Sequence, residues 1–408
     1  MNKKYSFKRT VLFPASMAVR LYDLRTLVKR NNTMKKNPSN LCTLFAKRKR
    51  IENFRSLYKI YPAQKVKRKG PVFQFDYDLK KMCMMYSYNG KQSTLDEFLK
   101  RTMTTGFLAI KNDKIVNERY LHGNTSSSLN TSWSVTKSVI SALVGIAIDE
   151  GYIKGVHEPI ISYVPELKNS GYKNVSIKEV LQMSSGIHFN ENYNDCSSDF
   201  YMIIQELFGE GQSMNQYVSQ LDYQEFPRIF SYKSIDTQVL GMLITKATGQ
   251  NPAQYLQEKI WEPLGMECDA FWNTDYDGNI LAYSFLNATL KDFAKFGLLY
   301  LHNGNWKGKQ IISQKWVRES VIPERHDLLK DTRSNFTDSY QYQWWIPGPN
   351  YIDGEFLAIG IWGQSIYINQ QENLVIVKTS VDPNFEKHHY EMYTVYRAIA
   401  DFLREEFK

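Results

Sequence analysis

The stretch TSWSVTKSVISALVGIAIDEGYI, residues 131–153, sets a serine and a lysine three positions apart, Ser134 and Lys137, at the head of an apolar run. Val135, Val139, Ile140, Leu143, Val144, Ala147 and Ile148 recur at helical spacing, so a core-facing helix follows, with Thr131 or Ser132 as its expected cap. Positions i and i+3 share a helix face, which brings the two side chains together. An ammonium is out of place there, because the unpaired N–H groups of a helix start carry partial positive charge. That opposition and burial both lower a lysine's pKa toward that of a base. A neutral lysine beside a hydroxyl can take its proton, and N–H groups at the helix start can help hold an oxyanion. The spacing alone is common. SLYK at 56–59 and SGYK at 170–173 repeat it and read as structure, not chemistry.

Two further stretches supply what such a pair would need. FSYKSIDTQVLGMLITKATG (230–249) places Tyr232 and Ser234 just before a helix, where loop side chains can point into a crevice. A tyrosine close to Lys137 would have its phenolate favoured and could join a proton relay. AIGIWGQSIYINQ (358–370) carries Gly360 and Gly363 where a strand must let another backbone or a ligand approach. An N–H near Gln364 or Ser365 is the expected second donor of an oxyanion hole.

These stretches need a scaffold. STLDEFLKRTMT (93–104) reads as a helix opening at Ser93 or Thr94, and GFLAIKNDKIVNERYLHG (106–123) as a hairpin turning at KNDK. From about 155 to 265 helical patterns dominate, in SIKEVLQMSSG (176–186), SDFYMIIQELFG (198–209) and SIDTQVLGMLITKATG (234–249), the last stopped by Gly249. TLKDFAKFGLLYLH (289–302) opens with a Thr–x–x–Asp cap. Strands return in YQWWIP (342–347), EFLAIGIW (355–362), QSIYINQ (364–370) and NLVIVKTS (373–380), before an amphipathic helix over about 388–406. Isolated two-stranded pieces are marginal, so strands from both ends of the chain must share one sheet. The fold class expected is α+β, an antiparallel sheet flanked by helices, with an all-helical subdomain inserted at about 155–265 and a ligand crevice between them.

Composition sets the outer limits. A chain of 408 residues that is 43% hydrophobic can bury a large core. Residues 1–70 hold 20 Lys and Arg against two acids, Asp23 and Glu52, a charge of +18 in a chain of net +9, so the remainder carries −9. The expectation is a basic extension over 1–70, containing KRKR (47–50) and KVKRK (65–69), that is dispensable for catalysis, and a hydrolytic domain over 71–408. Collapse on truncation at 71 would mean instead that the extension packs on the body, for instance through a helix in ENFRSLYKIY (52–61). TVLFPASMAV (10–19) is broken by Pro14 and stops at Arg20, a poor export signal, and a transit peptide is no better supported, so a cytoplasmic location is expected. The sequence holds no apolar run of about 18 residues, the length a membrane-spanning helix needs, so none is expected. Cys42, Cys83, Cys196 and Cys268 form no CxxC pair and suit free thiols. The seven His show no metal-ligand spacing, and KHHY (387–390) reads as surface; no metal, cofactor or nucleic-acid partner is implied.

In this order and context the three stretches resemble the serine β-lactamase and penicillin-binding protein superfamily, with its β-lactamase/transpeptidase-like fold. More narrowly they resemble its β-lactamase-related hydrolases: class C enzymes, family VIII esterases and 6-aminohexanoate-dimer hydrolases. The resemblance runs from about 90 to 405, and includes VLQMSSGI (180–187) and ATLKDFAKFGLLYLHNGNWKGKQIIS (288–313). It implies that Ser134 is the acylated nucleophile, Lys137 its base and Tyr232 the group that passes protons to the leaving group. Two departures point to the nylon-oligomer hydrolase branch. Where relatives carry Lys–Thr–Gly or His–x–Gly, this chain has Ile361–Trp362–Gly363, and Ser234 stands where many have Asn. KTS at 378–380 belongs to the next strand. Tyr193, in FNENYND (189–195), is the expected pocket contact, with Trp362 as an apolar wall.

The function this implies is metal-free hydrolysis of a small amide or ester through an acyl-enzyme. A β-lactamase or penicillin-binding DD-peptidase is one alternative, weakened by the missing cation. A catalytically lapsed binding protein with a basic tail is another, opposed by the presence of all three side chains. No G-x-S-x-G elbow supports a Ser–His–Asp hydrolase. Oligomeric state is open.

Overall fold

The computed structural model describes residues 44–195, 197–222, 226–325, 328, 338–348 and 354–407; the 10–19 stretch, Cys42 and Cys196 lie outside them. In chain order these residues form helix α1 (Arg50–Ile60), strands β1 (Ala63–Val66) and β2 (Asp76–Tyr77), hairpin β3–β4 (Met85–Tyr88 and Lys91–Thr94), helix α2 (Leu95–Arg101) and hairpin β5–β6 (Thr104–Lys111 and Lys114–Tyr120). Strand β7 (Asn130–Thr131) leads into helix α3 (Val135–Asp149). Residues 160–261 run through short helices and one long one, α4 (Ser234–Thr248). Strands β8 (Ala270–Asn273) and β9 (Leu286–Ala288), helix α5 (Leu290–Leu301) and hairpin β10–β11 (Asn305–Trp306 and Lys309–Gln310) follow. The chain closes with β12 (Ser339–Gln341), β13 (Trp344–Ile346), β14 (Glu355–Gly360), β15 (Gln364–Asn369), β16 (Leu374–Ser380) and helix α6 (His389–Glu406).

One sheet joins the two ends of the chain, in the order β12-β13-β14-β15-β16-β5-β6-β2. Its centre is the antiparallel pairing of β16 with β5, for example Val377 opposite Leu108. Strand β5 is buried along its whole length because both sheet faces are covered. Leu108 and Ile110 point into the core shared with α3 and α5, while Phe107 and Ala109 point into the one built by α2 and α6. At Gly297 of α5 an added Cβ would lie 2.7 Å from Val375 and 2.9 Å from Ile366, so that helix sits directly on the sheet.

Local signals hold where the chemistry is local. Thr94 and Glu97 form a capping box on α2, Thr289 accepts from the Asp292 amide on α5, and Gly249 ends α4 with φ +73°. The strand expected over 342–347 is instead split: Tyr342 and Gln343 turn with φ of +34° and +69°, between β12 and β13. Gln343 is buried and its amide bonds Thr237 and the Leu181 carbonyl, so this turn is held from outside itself. The strand expected over 355–362 stops at Gly360, and Ile361–Gly363 form one tight turn.

The boundary expected at residue 70 is corrected. Helix α1 buries Phe54 and Leu57 in the main core, and β1 pairs with β8 from Ala63–Asn273 to Val66–Ala270. The basic run at 65–69 is no free tail either: Lys65 meets Asp269 at 3.1 Å and Lys69 meets Glu262 at 2.9 Å. A second sheet, β1-β8-β9-β7, thus ties this segment to the strand that leads into α3. No helix among the described residues is long and apolar enough to cross a membrane.

Candidate active site

The expected caps of α3 do other work. Thr131 sits in β7 opposite Asn287, and the Ser132 hydroxyl bonds that of Thr136 at 2.6 Å. Trp133 then adopts φ +48°, a conformation that costs a bulky residue on the order of 1–3 kcal/mol. Ser134 follows at the N-cap position without a side-chain cap bond, so its hydroxyl is left for Lys137. Lys137 Nζ donates to Ser134 Oγ at 2.9 Å, to Ser234 Oγ at 3.2 Å and to the Tyr283 carbonyl at 2.9 Å. The lysine is 1% exposed, and burial pulls its pKa down to about 7 against the opposing charge of Glu191.

Tyr232 closes the other side. Its hydroxyl is hydrogen-bonded with Ser134, and Lys137 Nζ lies 5.2 Å from its ring centre. The ring is held by Trp345, stacked at 5.3 Å, and by Tyr340, edge-on at 5.9 Å. The phenolate expected here is corrected: burial, then the charge of Glu191, push this hydroxyl well above its ordinary value. Tyr232 is therefore a neutral phenol that can accept one proton while passing on another.

Glu191 is the residue that sequence reasoning passed over. Its carboxylate accepts from the Ser234 amide at 2.8 Å and the Ser234 hydroxyl at 2.5 Å, capping α4 from 43 positions away in the chain. Tyr193 donates to the same carboxylate at 3.0 Å, so its hydroxyl serves this cluster, and burial with the Glu191 charge holds it well above the usual phenol range.

The side chains of Gln364 and Ser365, near which an oxyanion donor was expected, turn to the sheet. Both lie in β15, paired with Gly360 and Ile359. The Gln364 side chain bonds the Ser380 backbone through both its ends, and Ser365 bonds the Tyr396 hydroxyl at 2.7 Å, so both brace the sheet interior. Gly360 approaches the Ser134 turn. A Cβ there would lie 2.6 Å from the Ser132 carbonyl and 3.1 Å from the Ser134 nitrogen, which sets the Gly360–Ile361 peptide against the Ser134 amide. Gly363, at φ +84°, packs on Lys378, whose buried ammonium donates to its carbonyl at 2.8 Å. The lysine of KTS thus lies beneath this turn. Trp362 is half-buried above it, at φ +64°. His388 and His389 are likewise not plain surface: each ring meets a carboxylate, Asp382 at 2.6 Å and Asp338 at 2.5 Å.

A helix-borne Ser–Lys pair, a tyrosine across from it and a sheet strand passing the serine define an α+β hydrolase of β-lactamase/transpeptidase-like fold. The chain belongs to the beta-lactamase family, whose model matches residues 92–400. It is 29% identical over 305 residues to a 6-aminohexanoate-dimer hydrolase of Paenarthrobacter ureafaciens, covering 72% of this chain and 77% of that one. Among solved structures, a Bacillus anthracis protein proposed to be a 6-aminohexanoate-dimer hydrolase superposes with a TM-score of 0.80 at 24% identity, over 92% of this chain and 98% of that one. A class C beta-lactamase from Rhodobacter sphaeroides gives 0.56 at 14% identity, over 76% and 97%.

Proposed function

We propose that this hydrolase cleaves a small linear amide or ester through an acyl-enzyme on Ser134. The observation that carries the reading is Lys137, a buried lysine with its pKa drawn down to about 7 and its nitrogen 2.9 Å from the Ser134 oxygen. Once neutral, that nitrogen has a lone pair to receive the serine proton as Oγ attacks the substrate carbonyl. The negative charge that develops on the carbonyl oxygen is met by the Ser134 and Ile361 N–H groups, which the close approach at Gly360 sets side by side. The proton then returns by way of Tyr232 to the departing amine nitrogen or alkoxide as its bond to the acyl carbon breaks. Water attacks the ester so formed, with the same lysine as base, and frees the acid and Ser134. Ser234 bonds the far side of Lys137 and is itself held by Glu191, which Tyr193 also bonds and whose charge opposes the effect of burial on the lysine.

The amide preference draws on the relative that hydrolyses the 6-aminohexanoate dimer by name. The turn Ile361–Trp362–Gly363 supports it, since it offers no cation for a β-lactam carboxylate. The test is a fluorophosphonate, followed by peptide mass spectrometry, and a panel of p-nitrophenyl esters, linear amides and nitrocefin. The expected result is a single adduct on Ser134, with turnover of esters or amides lost in Ser134→Ala by about 10³-fold or more. Labelling of another serine, with turnover intact in Ser134→Ala, would overturn the reading.

A further inference from the structure

Two tryptophans frame the nucleophile, and both hold a backbone that a bulky side chain rarely adopts. Trp133, φ +48°, is the residue before Ser134; Trp362, φ +64°, is the residue after Ile361. The Trp133–Ser134 peptide carries one of the two N–H groups proposed for the oxyanion, and Trp362 follows the residue that carries the other, so a shift of either turn would misplace a donor. Something outside the two turns must hold them.

The packing comes from the segment just before and within α1. Phe45 stacks on Trp133 at 5.9 Å and 26°, and on Trp362 at 5.6 Å and 13°. Phe54 meets the same two rings edge-on, at 5.1 Å and 5.7 Å. Arg50 lays its guanidinium 4.5 Å from the centre of the Trp362 ring. That arginine is 7% exposed, and its Nε has no hydrogen-bond partner among the described residues. Burial lowers its pKa, with the charge of Asp382 opposing, and Asp382 in turn bonds the Trp362 carbonyl through its amide at 3.1 Å. A surface segment that only covered the body would have no need to desolvate an arginine over this ring. The segment is also fixed at its other end, because β1 belongs to the sheet whose edge strand β7 runs into the nucleophile turn.

We infer that Phe45, Arg50 and Phe54 are positioning residues, a clamp that holds the nucleophile turn at Trp133 and the oxyanion turn at Trp362 in register. The inference rests on Ser134 as nucleophile, and it places part of the catalytic machinery outside residues 92–400, the stretch the family shares. Loss of the clamp acts on the transition state, where both N–H groups must meet one oxygen, more than on substrate binding. A misplacement of about 1 Å can cost about 10²-fold in rate.

The test uses the full-length chain. Phe45 is half-buried, so Phe45→Ala removes the ring that touches both tryptophans with little loss of core. Expected for Phe45→Ala are a fall of about 10- to 100-fold in kcat for p-nitrophenyl butyrate, an equal fall in the rate of phosphonate addition to Ser134, and KM within about threefold of wild type. Phe45→Trp, which keeps a flat ring, should restore most of the rate. A folded Phe45→Ala with kcat within about twofold of wild type would overturn the inference, as would a defect confined to KM. Should Phe45→Ala not fold, Phe45→Leu, which keeps the apolar volume without the stacking face, is judged by the same criteria. Absence of any Ser134 adduct in wild type defeats the nucleophile assignment; a wild-type adduct with an unaffected Phe45 variant defeats the clamp alone.

Discussion

Glu191 and Ser234 are joined twice, amide to carboxylate at 2.8 Å and hydroxyl to carboxylate at 2.5 Å, and the same serine oxygen lies 3.2 Å from Lys137 Nζ. The carboxylate therefore caps α4 and at the same time sets the local field at the base. Its charge favours the ammonium form, so it raises the pKa that burial lowers. In Glu191→Gln only the burial effect remains, and the acid limb of kcat/KM should move to lower pH than in wild type. An unmoved limb, or one moved upward, would mean that Glu191 acts on the helix alone.

The proposed base, Lys137, sets the expected wild-type profile. With a folded pKa of about 7 against 10.5 ordinarily, Lys137 is neutral above about pH 7 and protonated below it, so kcat/KM should rise through that region as pH rises. The same shift disfavours the fold wherever the unfolded chain binds the extra proton: the penalty is full below about pH 7 and vanishes as pH rises through the unfolded value of 10.5. Lys137→Arg keeps a cation that does not deprotonate in proteins and should lose about 10²- to 10⁴-fold at every pH. Near-normal activity in that variant would make the role electrostatic.

Tyr232 stays a phenol across the working range, so it should contribute no limb to the profile. Its removal in Tyr232→Phe should slow amides far more than p-nitrophenyl esters, because an amine must be protonated to leave and p-nitrophenolate need not be. A loss of about 10²-fold on an amide against a few-fold on the ester is the expected contrast. Equal losses on both would place Tyr232 in acylation by packing, not in proton transfer.

The pairs that act over a few residues were legible in the sequence: Ser134 with Lys137, the Thr289–Asp292 cap, the Gly249 stop. So was the central sheet, because isolated two-stranded pieces are marginal and the strands at 106–123 and 355–380 had to share one. What escaped was set by contacts across the chain. Glu191 caps a helix 43 residues on, and no local pattern marks a cap supplied from a distance. Gly360 faces the Ser134 turn because β14 ends one turn earlier than its apolar run does. Charge misled most over residues 44–70, where basic residues looked like a tail and Phe54, Leu57 and Val66 are core.

That last point reverses the expectation for truncation. Burying an apolar side chain fully contributes about 1.5–3 kcal/mol, so losing Phe54, Leu57 and Val66 together removes an amount comparable to the whole stability of an ordinary domain, about 5–15 kcal/mol. Strand β8 would also lose one of its two partners along four residues. A chain beginning at residue 71 should be insoluble or melt far below the full-length protein. A soluble, cooperative melt close to wild type would return the segment to the status of an extension.

Substrate choice follows from what surrounds Trp362. Among the described residues, two cations lie against this turn and neither presents itself to a carboxylate: Lys378, 2% exposed, is bonded to the Gly363 carbonyl, and Arg50 lies over the Trp362 ring within the field of Asp382. A β-lactam would therefore have its carboxylate left without a charge-assisted hydrogen bond, worth roughly 1.5–3 kcal/mol, or about 10- to 150-fold in affinity. An uncharged acyl chain meets apolar surface at Ile361 and Trp362 and pays no such penalty. Esters such as p-nitrophenyl acetate or butyrate should accordingly show a kcat/KM well above that for nitrocefin. Faster nitrocefin hydrolysis, abolished by Ser134→Ala, would mean that Arg50 swings out to meet the carboxylate and that β-lactams are the preferred class.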